Sequence, residues 1–235
     1  MTELINTIEQ LDTQIFLCFN GMHNAFWDYF MMIYSSRFVW IPFYVSFLYV
    51  MFKNYSAKSA ITTLIAIICI ILLCDQTSSS LLKPMVERMR PSNIDNPISP
   101  LVHIVSDYRG GKYGFPSSHA ANAWGLVFFS IFLTHNKKLA CYLLPWAVLM
   151  AYSRIYLGLH YPGDLLVGVI IGLVYAWAIY KLLMSFYREQ FEAWKDSNLH
   201  IVHAQLPAIV GGISILLMLI SAGIMTYTEA DIFFN

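Results

Sequence analysis

The chain has 235 residues, 58% of them hydrophobic and 12% charged, where a soluble domain carries about a quarter charged residues. That balance excludes an ordinary soluble enzyme and describes a membrane protein. With 14 Lys and Arg against 14 Asp and Glu the formal net charge is zero, which gives no reason to expect nucleic acid or an acidic partner.

Leu4, Ile8, Leu11, Ile15 and Phe19 recur at three- and four-residue steps with Glu3, Thr7, Glu9, Gln10 and Asp12 between them. This predicts an amphipathic helix over residues 1–20 that lies on the membrane surface. No cation precedes Arg37, so the start lacks the basic region of a cleaved signal peptide. A span needs about 20 mostly apolar residues, and six segments come near that, roughly 26–52, 59–82, 118–134, 139–158, 162–184 and 206–227. The first is interrupted by Ser35, Ser36 and Arg37. Residues 92–115, with Pro97, Pro100, Gly110, Gly111 and Gly114, read as a loop, and 185–203 as a second polar connection. The expectation is an all-α, polytopic helix bundle forming one domain over 1–235, with about six transmembrane helices plus the interfacial one. Cys18, Cys69, Cys74 and Cys141 lie mostly in apolar runs without the spacing of a zinc site or a disulfide framework. The six tryptophans read as interfacial or packing anchors.

Three polar clusters interrupt this apolar chain, and polar groups at a membrane boundary are costly enough to need a reason. In the first, Lys83-Pro-Met-Val-Glu-Arg-Met-Arg90-Pro91 closes the second span, with Pro84 suited to start a short helix and Pro91 to end it. If that turn is helical, Lys83 and Arg90, seven apart, share a face and close on one anion. Two cations snorkelling at a membrane edge fit as well. In the second, Pro116-Ser117-Ser118-His119 opens the third span. Ser117 suits an N-cap, and a helix N-terminus accepts an anion. His119 would then exchange a proton beside that anion; a capped helix with an interfacial histidine is the plainer alternative.

The third cluster is Ser153-Arg154, then His160 and Asp164. Pro162 predicts a helix stop near 158–160 and a new helix start. Asp164 falls in its first turn, where the helix dipole favours its charge and where it can hydrogen-bond one nitrogen of His160, leaving the other as a nucleophile. His23, His103, His135, His200 and His203 show no spacing that joins them as metal ligands.

Together, and in this order over 83–164, the clusters resemble the three motifs of the type 2 phosphatidic acid phosphatase superfamily. That superfamily includes membrane lipid phosphatases, glucose-6-phosphatase and vanadium haloperoxidases. Ser118 stands where its second motif usually has Gly. The resemblance implies His160 as nucleophile, Asp164 as its orienting partner and His119 as the acid on the leaving oxygen. It implies Lys83, Arg90, Arg154, Ser117 and the Ser118 backbone as the phosphate cradle. Fixed cations stand in for a metal, so no metal and no cofactor are expected.

The expected activity is hydrolysis of a phosphate from a membrane lipid through a phosphohistidine, the substrate being a polyprenyl diphosphate, a lipid A phosphate or a phosphatidate-type lipid. A non-catalytic lipid-phosphate-binding or transport protein is the alternative, though binding alone needs only the cations. Counting spans puts all three clusters on one face. Of the cations outside them, seven (Lys53, Lys58, Lys137, Lys138, Lys181, Arg188, Lys195) lie opposite and four (Arg37, Arg88, Arg109, Lys112) on the site face. That bias predicts a site facing the periplasm or exterior of a bacterial inner or plasma membrane.

Overall fold

The computed structural model describes residues 2–196 and 205–234, and these are helical with no strand among them. The helices are α1 (Thr2–Asn20), α2 (Ala25–Tyr34), α3 (Ile41–Asn54), α4 (Ala57–Asp75), α5 (Lys83–Val86), α6 (Ser118–Thr134), α7 (Lys137–Tyr156), α8 (Pro162–Asp196) and α9 (Leu206–Phe234). Side-chain caps start several of them: Asn24 accepts from Trp27 N, Ser56 from Ser59 N, Ser117 from Ala120 N and Asn136 from Leu139 N. A π-helical stretch, Gln76–Leu82, joins α4 to α5 in one rod.

Four helices are long and apolar enough to cross a membrane: Ala57–Val86, Lys137–Tyr156, Pro162–Arg188 and Leu206–Thr228. The expected first span is broken. Ala25–Tyr34 and Phe38–Asn54 meet at 67°, and together they make a fifth candidate. The break falls on the Ser-Ser-Arg interruption, because Ser35 and Arg37 are drawn to the polar end of the bundle while Trp40 is buried beneath them with its indole N–H on Tyr34 O (2.8 Å). The expected third span, α6, has 17 residues and runs inside the bundle against α4, α7 and α8.

α6 and α8 form the centre. They approach through small residues: a Cβ on Gly168 would lie 2.6 Å from Ser117 O, and one on Gly172 2.6 Å from Ala121 O and 2.7 Å from Gly125 N. Without a hydrophobic drive between helices in lipid, close backbone packing is what holds such a pair. The contact brings the start of α6 to the start of α8, where Ser117 N–H donates to Asp164 O (3.0 Å). A second core joins α2, α3 and α7 through Tyr34, Trp40, Phe43 and Trp146. Trp40 and Trp146 therefore pack, whereas Trp27 and Trp177 are exposed.

The loop from 87 to 117 folds over the same end. Arg90 N bonds Lys112 O, Gly114 N bonds Arg88 O and Ser92 N bonds Gly158 O. Gly158 has φ +73° and its missing Cβ would meet Val102 Cγ1 at 2.8 Å, so this turn needs glycine twice over. The α1 helix exposes Leu4, Ile5, Ile8 and Leu11, each more than half accessible, and buries Phe16 and Asn20. Asn20 ties its end to the site end of the bundle through His103 N and O and the carbonyls of Ile155 and Tyr156.

Two expectations need correction. The Lys83–Arg90 turn is not one helix: α5 ends at Val86, Glu87 turns left-handed (φ 54°), and Arg90 comes from extended loop. Pro91 is therefore not what stops it. The 185–203 stretch is helical as far as Asp196, with a break at Tyr187; His200 and His203 lie outside the described residues.

Candidate active site

Five separate segments deliver polar side chains to one end of the bundle. Lys83 opens α5, Arg90 comes from the loop, Ser117 to His119 open α6, Ser153 and Arg154 close α7, and His160 and Asp164 flank the start of α8. The local sequence does what its prolines and glycines dictate: α7 stops at Tyr156, and α8 starts at Pro162 with Asp164 in its first turn. Ser117 is the N-cap of α6.

His160 and Asp164 are buried at 1% and 0% exposure. His160 Nδ1 lies 3.3 Å from Asp164 Oδ2, which also accepts Tyr161 N–H at 3.1 Å. His160 Nε2 lies 3.2 Å from Arg90 Nη1, and the same Nη1 reaches Leu159 O at 3.3 Å. Burial, and then the charges of Arg90, Arg154 and Lys83, hold the His160 imidazole well below its ordinary pKa. It is a neutral ring in a cationic pocket.

Lys83 Nζ donates to Ser118 Oγ at 3.4 Å, so the serine at the unusual position faces the cation cluster. Arg154 is 5% exposed and donates through Nη1 to Ser35 Oγ at the break between α2 and α3. The Nε atoms of Arg90 and Arg154 are buried and have no hydrogen-bond partner in the protein. Buried donors of this kind need an acceptor, and a tetrahedral anion with its oxygens spread over both guanidinium groups supplies one.

Among the described residues, neither the His119 nor the Arg154 side chain forms a hydrogen bond with the other expected site residues. His119 lines a cavity of about 530 Å³ between α3, α4, α6 and α7, whose polar lining includes Ser35, Ser36, Arg37, Asp75, Ser118 and Asn122 and whose other walls are mostly apolar, with Phe47, Leu64, Ile68 and Ile71 among them. Arg109, counted from sequence as a cation of the site face, is held in the loop by Asp107, Ser92 O and Ser99.

Sequence reasoning missed four residues. Arg88 donates to Asp164 Oδ1 at 2.8 Å and to Asp12 Oδ2 at 2.7 Å. From sequence it counts only as a cation of the site face, and Asp12 only as one of the polar residues between the apolar positions of α1. Burial opposes the Arg88 charge, but Asp164 and Asp12 outweigh it and raise its pKa. Ser35 and Arg37 reach the site because the first span breaks at them, and that polar interruption was their one visible signal. Asp28, His103 and His23 also gather at this end, with His103 Nε2 2.8 Å from Asp28 Oδ1 and the two imidazoles stacked at 3.6 Å, although spacing did not suggest it.

Over 177 residues the chain is 47% identical to a lipid A 4'-phosphatase of Bacteroides thetaiotaomicron, covering 75% of this chain and 79% of the relative. It is 34% identical over 177 residues to a lipid A 4'-phosphatase of Porphyromonas gingivalis, covering 75% of each. The crystal structure of Aquifex aeolicus LpxE shares the fold, with a TM-score of 0.58 and 24% identity over 73% of this chain and 95% of that one. The PAP2 superfamily profile matches residues 57–188, a stretch that holds every motif residue from Lys83 to Asp164. By that match and by the identity to its relatives, the chain belongs to the PAP2 superfamily.

Proposed function

We propose that this protein is a single-domain, integral membrane phosphatase that removes a phosphate from lipid A or a closely similar phosphorylated membrane lipid. The observation that carries this reading is continuity: the cavity with apolar walls is also lined by His119, by Ser118, which accepts from Lys83, and by Ser35, which accepts from Arg154. An acyl chain lying in the apolar part brings a phosphorylated head group to the cations by lateral diffusion. The 47% identity to a lipid A 4'-phosphatase favours lipid A among the lipid classes.

In the proposed reaction the His160 Nε2 lone pair attacks phosphorus, the phosphorus–oxygen bond to the lipid breaks, and His119 donates its proton to the departing oxygen. Asp164 accepts the hydrogen bond from Nδ1 and stabilises the charge that develops on the ring. Lys83, Arg90, Arg154 and Ser117, with the Ser118 backbone, hold the equatorial oxygens, and the two guanidinium groups grip more strongly as charge builds there. Water then attacks phospho-His160, His119 takes its proton, and inorganic phosphate leaves. His119 sits near Arg37, Arg90 and Arg154, so the substrate phosphate is the anion that balances its proton. No metal enters this scheme. The exposed apolar face of α1 supports an interfacial position for that helix, and the cation bias supports a site facing the periplasm of a bacterial inner membrane.

The test is phosphate release by purified protein in detergent, with lipid A, a polyprenyl diphosphate and phosphatidate compared in excess EDTA. Release from lipid A with EDTA present is the expected result. Lipid binding without any release would make the protein a carrier, and restoration of activity only by an added divalent cation would remove the cationic scheme.

A further inference from the structure

We propose that Asp12 and Arg88 are positioning residues for the reaction, so that the N-terminal helix α1 is a working part of the active site. This rests on the reading of His160 as nucleophile. An imidazole attacks through Nε2 only if Nδ1 keeps its proton and faces a fixed acceptor. That acceptor is Asp164, and at 0% exposure its carboxylate needs a charged partner and a full set of hydrogen bonds to remain an anion.

Arg88 supplies the charge. One arm of its fork, Nη1, meets Asp164 Oδ1 at 2.8 Å, leaving Oδ2 for His160 and Tyr161 N–H. Its other arm, Nη2, meets Asp12 Oδ2 at 2.7 Å. The guanidinium carbon lies over the Tyr161 ring at 4.0 Å, which fixes the plane of the fork. Both arms are thus committed to carboxylates. Arg88 differs in this from Arg90 and Arg154, whose Nε donors are unpartnered, and it orients Asp164 where they face the anion.

Asp12 completes the circuit from a helix more than 150 positions away. Its Oδ1 accepts Gly163 N–H at 2.8 Å, capping the first turn of the helix that carries Asp164. A Cβ on Gly163 would come within 2.8 Å of Asp12 Oδ2 and push that carboxylate from its place. One carboxylate therefore pins both the cation that faces Asp164 and the helix end that bears it. The same helix exposes Leu4, Ile5, Ile8 and Leu11, so α1 carries both the apolar surface for the interface and the carboxylate that holds Arg88.

The experiment measures kcat, KM and the inhibition constant of vanadate for wild type, Asp12→Asn, Arg88→Gln and their double variant, all monodisperse in detergent. A misplacement of about 1 Å costs on the order of 100-fold in rate, so each single variant should lose about 10- to 100-fold in kcat. Vanadate inhibition should change by less than about threefold, since Lys83, Arg90 and Arg154 still hold the anion. The double variant should be no slower than Arg88→Gln, because the two residues act through one chain of contacts. Gly163→Ala should reproduce the Asp12→Asn result and replaces it if that protein does not fold. Unchanged kcat in Asp12→Asn or Gly163→Ala overturns the proposal, and so does vanadate affinity that falls in step with kcat, which would make Arg88 an anion ligand. Wild-type protein that acquires no phosphohistidine in rapid-quench labelling would instead overturn the parent mechanism, a separable outcome.

Discussion

The Nη1 of Arg90 lies 3.2 Å from Nε2 of His160. Arginine only donates, so Nε2 is the accepting, unprotonated nitrogen and Nδ1 carries the hydrogen that faces Asp164. The pairing therefore assigns the tautomer, and it aims the Nε2 lone pair at the cation cluster and away from the carboxylate.

A pH profile follows from this. Neutral His160 is the reactive form, and burial together with Arg90, Arg154 and Lys83 lowers its pKa. Its protonation should not limit kcat/KM as pH falls from 7 through about 6.5, the ordinary imidazole range. In Arg90→Gln one of those charges is gone, the His160 pKa rises, and the acid limb should move to higher pH on top of a lower plateau. Substrate ionisation is common to both proteins, so the difference between the two kcat/KM profiles isolates the histidine. Superimposable acid limbs would count against this account.

The packing of α6 on α8 gives a second prediction. Gly172→Ala puts a methyl 2.6 Å from a backbone oxygen of α6, and overpacking of that kind costs about 1–3 kcal/mol. The same shift parts Ser117 and His119 from Asp164, so activity in the folded fraction should also fall. Gly212→Ala, with nothing within 4 Å of the new atom, should stay within about 0.5 kcal/mol of wild type. Thermal unfolding in detergent and phosphate release on the same samples measure both effects, and equal behaviour of the two variants would mean that the helix pair tolerates the spread.

How much of this was legible in the sequence depends on what each residue depends on. Pro162, Gly158 and Asp164 act over a few positions, so the helix stop, the new start and the His160–Asp164 pairing could be read directly. The Lys83–Arg90 face could not: helical periodicity assumed a turn that Glu87 ends by going left-handed, and the two cations meet through the loop fold. Asp12 was beyond reach for a further reason. Amphipathic spacing marks α1 as interfacial but does not say what Asp12 meets, and its partners Arg88 and Gly163 lie 76 and 151 positions away. The first span is a different case. Its Ser35-Ser36-Arg37 interruption was visible, yet its use as the wall beside Arg154 depends on α7.

The orientation prediction uses two ends of the bundle. Ser106 is exposed on the loop over the site, and Lys137 is exposed at the other end, after α6. In a protein freed of the exposed Cys18 and Cys141, Ser106→Cys should react with an impermeant thiol reagent from the periplasmic side and Lys137→Cys only after lysis. Lys137→Cys is preferred to a change at Asn136, whose side chain caps α7 through Leu139 N–H at 3.1 Å. The reverse labelling would place the site in the cytoplasm and reassign the substrate pool.

The covalent step separates the two histidines. A lipid sugar alkoxide is a poor leaving group and needs the proton of His119, whereas nitrophenolate leaves almost unaided. His119→Ala should lose lipid phosphatase activity by about 10²- to 10⁴-fold, yet keep more of its first turnover on p-nitrophenyl phosphate. The second half-reaction reverses the demand: water must lose a proton as it attacks phospho-His160, and by microscopic reversibility His119 takes it. The variant should therefore release one burst of nitrophenolate and stall with phosphate on the protein, as a label that is lost in acid and kept in base. His160→Ala should give no burst with either substrate, because Lys83, Arg90 and Arg154 can hold a phosphate but form no bond to phosphorus. If His160→Ala still becomes labelled, or turns over the nitrophenyl ester steadily, attack on phosphorus comes from another group or directly from water. Asp164 and Arg88 would then have to be read as the support of a general base rather than of a nucleophile.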